Sequence, residues 1–468
     1  MRLHYDTIQV QIIQTKGKYG MCINTQKISD AVEKHRDRIL EAERFIWSNP
    51  ETGYKEFKTS RYMEEAFEAL GYTLTRAEGI TGFCTVLDTG REGPELLILG
   101  ELDSIICPGH PEADPETGAV HSCGHNAQCA ALLGIAAALK EDGITDGLSG
   151  RIRLCAVPAE ELLEIEYRRE LRKNGVIKYF GGKSEFLSRG LFDGVDLAFM
   201  VHTSGSFSVI KGSVGCMAKN IIYKGRAAHA GGSPQNGINA LYAANCGLNA
   251  VNAIRETFTE PNLIRVHPII THGGDMVNAI PATVRLESYV RGNSFRGIAE
   301  ANKRVNRAFV GGALSLGANI EIIDIPGYAP LVNDDGMIAV AKEAAERMMP
   351  DIEFTVSSRF STGSTDMGDL SRIMPVVHPY AAGATGAGHG DNYKIADPVA
   401  ACVTNAKWQV AMLSLLLSDG ARRAKEIVAA YKPEFESKDA YLAYMDSLND
   451  SGDRITYRED GTADVRFS

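Results

Sequence analysis

Apolar side chains at Ile28, Ala31, Val32, Ile39, Ala42, Phe45 and Ile46 recur near every 3.6 residues, which predicts an amphipathic helix over 27–48. Asn49-Pro50 stops it. A second helix is expected over about 58–70. Beyond it come short apolar runs at 81–87, 94–100, 151–157 and 195–201, the pattern of strands covered on both faces. Helices at 126–140 and about 181–189 fall between the later runs. Strands alternating with helices point to an α/β layer around a largely covered sheet.

The stretch 213–326 has a different rhythm. A strand near 216–224 leads into the Gly-rich loop GRAAHAGGSPQNG, and a helix over 238–255 puts Leu241, Ala244, Leu248 and Val251 on one face. Strands follow at 264–271 and 282–291. In the second, Val284, Leu286, Ser288 and Val290 alternate with Arg285, Glu287, Tyr289 and Arg291. A helix over 295–316 and a strand over 319–324 complete the order β-α-β-β-α-β, a ferredoxin-like split-βαβ unit. After 330 the α/β rhythm resumes, with strands near 352–357 and 374–379 and a helix over 398–417. The smaller unit, 213–326, is therefore expected as an insertion into a mixed-sheet α/β domain made of 1–212 and 327–432. Residues 433–468 form a polar C-terminal extension in which Asp460-Gly461 marks a hairpin.

Length and charge narrow the function classes. At 468 residues, 44% of them hydrophobic, the chain is too long for one ordinary core, in keeping with two domains. A formal net charge of −10, without any long Lys/Arg run, argues against nucleic acid or an acidic membrane as partner. No run of 18 apolar residues predicts a membrane span. Residues 1–20 hold a short strand-like patch but lack the basic-then-apolar plan of a signal peptide, and Met21 is an alternative start. The nine cysteines (Cys22, Cys84, Cys107, Cys123, Cys129, Cys155, Cys216, Cys246, Cys402) are scattered and form no CxxC pair. That pattern fits a reducing, cytoplasmic setting rather than a disulfide framework.

Metal-ligand residue types stand where predicted strands end, which is where open α/β sheets build their sites. Cys123 and His125 follow the loop after GELD (100–103), Glu160-Glu161 close CAVPAEE, His202 closes LAFMVH, and His389 lies in the Gly-rich GATGAGHGDNY. Thiolate, imidazole and carboxylate together suit zinc or a similar divalent ion. Each residue alone has a duller explanation: a cysteine ahead of a helix is commonly a small buried hydrophobe, and paired glutamates are common on solvated faces. Their coincidence at strand ends favours a metal centre. The rival chemistry makes Cys123 a nucleophile with His125 as its base; neighbours two apart across a glycine rarely face each other, and the glutamate pair would then be idle. His110 and His121 flank a loop that could cover the site and are candidates for supporting contacts at best. His4, His35, His267 and His378 lack ligand-rich neighbours and are read as surface or core, Cys129 and Cys155 as packing residues.

At these residues the chain resembles the co-catalytic metallo-amidohydrolases, the family of the aminoacylases and the glutamate-releasing carboxypeptidases. Within it, the chain is most similar to the branch containing the hydrolase of aminobenzoyl-glutamate utilisation. The resemblance rests on GELDS (100–104), HSCGHN (121–126), VPAEE (157–161), GGKSEFLSRGLFDGVDLAFMVH (181–202), KGRAAHAGGSPQNGINAL (224–241), NAIPATVRLESYVR (278–291), GSTDMGDLS (363–371) and GHGDNY (388–393), in order over about 27–417. It implies two divalent ions per subunit, zinc or manganese with cobalt or nickel as further options, held by Cys123, His125, Glu161, His202 and His389. Glu160 matches the general base, and Asp103 the acidic residue that orients a ligand from behind. The inserted domain is implied to act as a lid and to form a homodimer, with His229 reaching the partner's site and Asn278 and Arg291 holding a substrate carboxylate. Where many relatives carry His-x-Asp, this chain has Glu101-Leu102-Asp103, which leaves open whether Glu101 touches a metal.

The resulting expectation is a metal-dependent amidohydrolase acting on an N-acyl or N-aroyl amino acid such as an aminobenzoyl-glutamate. A dipeptidase with the same ions is the near alternative. A non-catalytic partner subunit with a structural metal is the distant one, disfavoured because such an ion needs neither Glu160 nor His229.

Overall fold

The computed structural model describes residues 23–467; the strand-like patch at the N-terminus, His4, Met21 and Cys22 lie outside them. Six strands build the central sheet in the order Thr75–Arg76, Phe83–Asp88, Arg151–Val157, Glu95–Glu101, Leu197–Phe199, Val376–Val377. Phe83–Asp88 runs antiparallel to Arg151–Val157, and the four strands from Arg151–Val157 to Val376–Val377 are mutually parallel. The side-chain alternation of Glu95–Glu101 shows why its sequence is apolar throughout. Leu96 and Ile98 join the core formed with helix His125–Ala138, while Leu97 and Leu99 join a separate core against Phe186 and Leu187. The expected α/β class holds.

Helix His125–Ala138 is buried over its whole length, which suits its all-apolar face and the run of alanines that lets neighbours approach closely. The predicted helix over 27–48 is two helices, Thr25–Glu33 and Arg36–Trp47, separated at Lys34 and His35, with His35 in a non-helical conformation beside Glu141. The predicted helix over 398–417 continues to Ala430. It leaves helical geometry at Ser418–Ala421, where Asp419, Gly420 and Ala421 all take positive φ, and then resumes. By length and composition Val399–Ala430 could cross a membrane, yet 72% of its most apolar window is inside the protein, as in a core helix.

A second sheet orders Arg265–Val266, Thr283–Gly292, Gly215–Lys224, Asn319–Tyr328 and Asp450–Asp453, with Ile269–His272 also on Thr283–Gly292. Helices Ala240–Ile254 and Phe295–Ser315 cover one face. The strand expected at 264–271 is interrupted because Pro268 has no N–H for the ladder. The other face, through Ala218, Ile323, Ile325 and Tyr328, packs on Ile165, Ile177 and Phe180 of the larger part. The C-terminal residues contribute more than a polar tail. Tyr441, Leu442 and Met445 of helix Lys438–Ser447 are buried, Asp450–Asp453 adds a strand, and Ile455–Tyr457 pairs with Ala463–Val465 as the hairpin turned at Asp460-Gly461.

Candidate metal centre

The four parallel strands of the central sheet end on one side, and their continuations bring the candidate ligands together. Glu101 ends its strand; Glu160 and Glu161 lie three and four residues past Val157; His202 and His378 follow Phe199 and Val377. Cys123 and His125 arrive on the turn that opens helix His125–Ala138. Gly124 between them has φ +95°, a backbone that favours glycine, and a Cβ there would meet the Tyr393 hydroxyl at 2.4 Å. His389 comes in on the Gly-rich loop, its N–H donating to the Ser122 carbonyl at 2.8 Å. Ala159, just before the glutamate pair, and His389 itself both take left-handed φ (56° and 62°), a cost commonly found at functional sites.

Donor atoms converge in three groups, each with its atoms within 4.8 Å of one another: Cys123, His125 and His202; Cys123, Glu161 and His389; Glu101, His125 and Glu160. The first two share the Cys123 sulfur. Sγ lies 3.3 Å from His202 Nε2, and His389 Nε2 lies 2.9 Å from Glu161 Oε1. The imidazoles are fixed from behind. His125 Nδ1 is 2.9 Å from the Asp103 carbonyl and His202 Nδ1 is 2.9 Å from the Thr203 carbonyl; carbonyls only accept, so both Nδ1 atoms carry a proton and both Nε2 atoms face the site, where a divalent ion would take the place of any proton there. His125 Nε2 and Glu101 Oε2 are buried without any hydrogen-bond partner, 3.2 Å apart. Unpaired polar atoms facing each other in a sulfur, nitrogen and oxygen set are what a divalent ion would satisfy, and the residues fit such a group.

The electrostatics agree with the geometry. Burial alone would raise the Cys123 thiol, but His125 and His202 outweigh it and bring the thiol down to about 6. Burial likewise opposes ionisation of Glu161, yet His389 and His125 hold its carboxyl at about 2. Glu160 goes the other way: burial first, then the negative charges of Glu101 and Glu161, push its carboxyl well above the ordinary range. Adjacent glutamates thus have opposite environments, the usual arrangement when one ligates and the other moves protons.

Asp103 accepts the Glu161 backbone N–H at 2.8 Å and stands behind His125. Arg291 lines the same cavity of about 390 Å³ as Cys123, Glu160, Glu161, His202 and His389. His229 and Asn278 are not among its lining residues. They sit together on an exposed part of the second sheet's loops, where the Ala230 N–H donates to the Asn278 carbonyl at 3.0 Å. His229 Nδ1 accepts the N–H groups of Gly231 (3.1 Å) and Gly232 (2.8 Å), so its proton is on Nε2, aimed outward. Asn126 turns away, donating to Glu43 at 2.8 Å. His110 bonds the Tyr393 carbonyl at 2.9 Å, and His121 is buried without partners. His378, read from sequence as a residue of surface or core, is buried on the cavity wall with its ring centroid 5.7 Å from that of His202. Its place near the end of the strand expected at 374–379 is the signal that could have found it.

Residues 97–414 match the model of Peptidase family M20/M25/M40. The chain is 27% identical to the Xaa-Arg dipeptidase of Homo sapiens over 377 residues, 78% of this chain and 81% of that protein. It is 29% identical to one of the subunits of the p-aminobenzoyl-glutamate hydrolase of Escherichia coli (strain K12) over 306 residues, 63% of this chain and 59% of that one. The crystal structure of the Bacillus subtilis YXEP protein, a dinuclear metal-binding peptidase of the M20 family, superposes with a TM-score of 0.60 at 20% identity. That match covers 82% of this chain and 99% of that one, and likeness at this identity speaks for the fold.

Proposed function

The chain belongs to peptidase family M20/M25/M40, and from that premise we propose that this hydrolase cleaves the amide bond of an N-acyl or N-aroyl amino acid resembling aminobenzoyl-glutamate. The observation that carries the reading is the pair of ligand groups meeting at Cys123, on the wall of a cavity that also contains Glu160 and Arg291. Two divalent ions there, zinc or manganese with cobalt or nickel as further candidates, would supply Lewis acidity and lower the pKa of a bound water toward neutrality. Cys123, His125 and His202 would hold one, and Cys123, Glu161 and His389 the other. Glu160, on the cavity wall and outside the two groups that share Cys123, takes the proton of the attacking water and returns it to the leaving amine. Arg291 receives the free carboxylate of the amino-acid half.

His229 and Asn278 complete the site of a partner subunit in a homodimer. His229 presents an Nε2–H donor, the hydrogen-bonding form that an oxyanion needs. The same unit exposes the apolar side chains of Tyr242, Ile269, Ile270, Met276 and Val277, which a second copy would cover. Mixing inactive Glu160→Ala and His229→Ala dimers should restore about a quarter of the wild-type rate, since half of randomly mixed dimers hold one intact site of two. No recovery after verified subunit exchange would argue against a site shared between the subunits.

Similarity to the Xaa-Arg dipeptidase favours a dipeptide as the second reading. Against it, Glu160 and Glu161 are the only acids lining the cavity among the described residues, which leaves no third carboxylate for a free α-ammonium. Amine release should be measured from aminobenzoyl-glutamate, N-acetyl and N-benzoyl amino acids and plain dipeptides, after chelation and add-back of zinc or manganese. We expect metal-restored cleavage of the acylated compounds; cleavage of dipeptides alone would replace this reading with the second. The eight described cysteines are all free, which supports a cytoplasmic setting.

A further inference from the structure

Behind the ligand groups lies a buried charge cluster that the reaction above does not use. Helix Gly182–Ser188 is pressed against the segment leading to Glu160: a Cβ on Gly182 would stand 1.6 Å from the Pro158 carbonyl oxygen. That contact puts Lys183 beneath the end of the central sheet, with no part of its side chain exposed. Lys183 Nζ is 2.5 Å from Glu101 Oε1 and also pairs with Asp366 Oδ1, while the Lys183 backbone N–H donates to Asp366 Oδ2 at 2.9 Å. One ammonium therefore faces two fully buried carboxylates. A surplus negative charge out of water is costly unless another cation shares it.

The geometry shows where that second cation would be. Lys183 occupies one oxygen of Glu101, and the other, Oε2, is buried without a hydrogen-bond partner 3.2 Å from the equally unpartnered His125 Nε2. Two buried ligand atoms at that separation, each fixed from behind, have the spacing of neighbours on one ion. Cys129, whose thiol donates to the Glu101 carbonyl at 2.9 Å, helps fix the backbone there. We propose that Glu101 is a further metal ligand, through Oε2 beside His125, and that Lys183 is the positioning residue that presents it. The proposal rests on the reading that Cys123, His125 and His202 hold an ion. Glu101 shares its group with His125 and Glu160 and meets the Cys123 groups only through His125, so it would add a donor on the His125 side alone and make the two ion positions unequal.

The test is titration of the metal-free full-length protein with Co2+, read by d–d absorption and by competition with a chelator. Wild type should take up two ions in two steps of different affinity. Glu101→Gln, which leaves the Lys183–Asp366 pair intact, should weaken the tighter step by about 10–100-fold or more and change the d–d band, since even partners behind a ligand are worth that much. Lys183→Arg should retain the band better than Lys183→Met, as expected when the cation acts by holding a carboxylate. If Glu101→Gln fails a melting check of its fold, Glu101→Asp carries the same expectation, because it keeps the charge for Lys183 and withdraws the carboxylate from His125. Two cobalt steps and a band identical to wild type in the folded variant would overturn the proposal and leave Glu101 as a counter-ion of Lys183. Failure of wild type itself to bind cobalt would overturn the underlying reading and this ligand with it.

Discussion

Glu160→Gln is expected to keep both ions bound and to lose about 10²–10⁴ of the turnover rate, the usual worth of a positioned general base. Glu160 belongs to neither of the two groups that share Cys123, so its removal takes no donor from them. The substitution is close to isosteric, and the segment is held by other contacts: the Tyr328 hydroxyl donates to the Glu160 carbonyl and the Asp103 carboxylate accepts the Glu161 N–H. The loss should therefore appear in kcat, with metal content by elemental analysis unchanged. A variant that turns over at the wild-type rate would remove Glu160 from proton transfer. One that loses its ions together with activity would make it a ligand instead.

Cys123→Ser should have the opposite signature. Because one sulfur serves both groups, its loss removes a donor from each ion position at once. The native thiol is drawn down to about 6 by His125 and His202 against the effect of burial, so a thiolate is available at neutral pH, whereas a serine hydroxyl stays protonated. Apparent affinity should fall by more than the roughly 10–100-fold lost when a contact behind a ligand is removed, and both ions should leave on dialysis against a weak chelator. Retention of two ions under those conditions would show that Cys123 is not shared and that the centre is built from the imidazoles and carboxylates alone.

How far the sequence leads depends on whether the signal is local. Apolar runs such as 94–100 and 151–157 are strands because both their faces are covered, and the ligands after them are legible as strand-end residues for the same reason. Helix Ile165–Lys173 escapes such a reading: only Ile165 and Arg168 are buried, so its sequence carries no apolar stripe. Lys183 escapes it because a lysine near a helix start reads as solvated; only the contact of Gly182 with Pro158 places it between Glu101 and Asp366. His378 is overlooked because its neighbours in sequence are Val377 and Pro379, while its neighbours in space are His202 and Tyr380. The position of Asn278 away from the cavity of its own chain is set by the fold of the loops around it and has no local signal in the sequence.

The second sheet has two unlike margins. On one side Asp450–Asp453 is a four-residue strand with an aspartate at each end and Gly452 between, a poor template for further pairing. On the other, Ile269 and Ile270 stand exposed beside Thr283–Gly292, in a strand cut short by Pro268. The Ile269–His272 margin is equally short, but its exposed apolar side chains make it the more open of the two. An association through the open margin meets its own counterpart on the second copy and uses it up, so it closes at two subunits, whereas two equally receptive margins would let copies add end to end into a fibre.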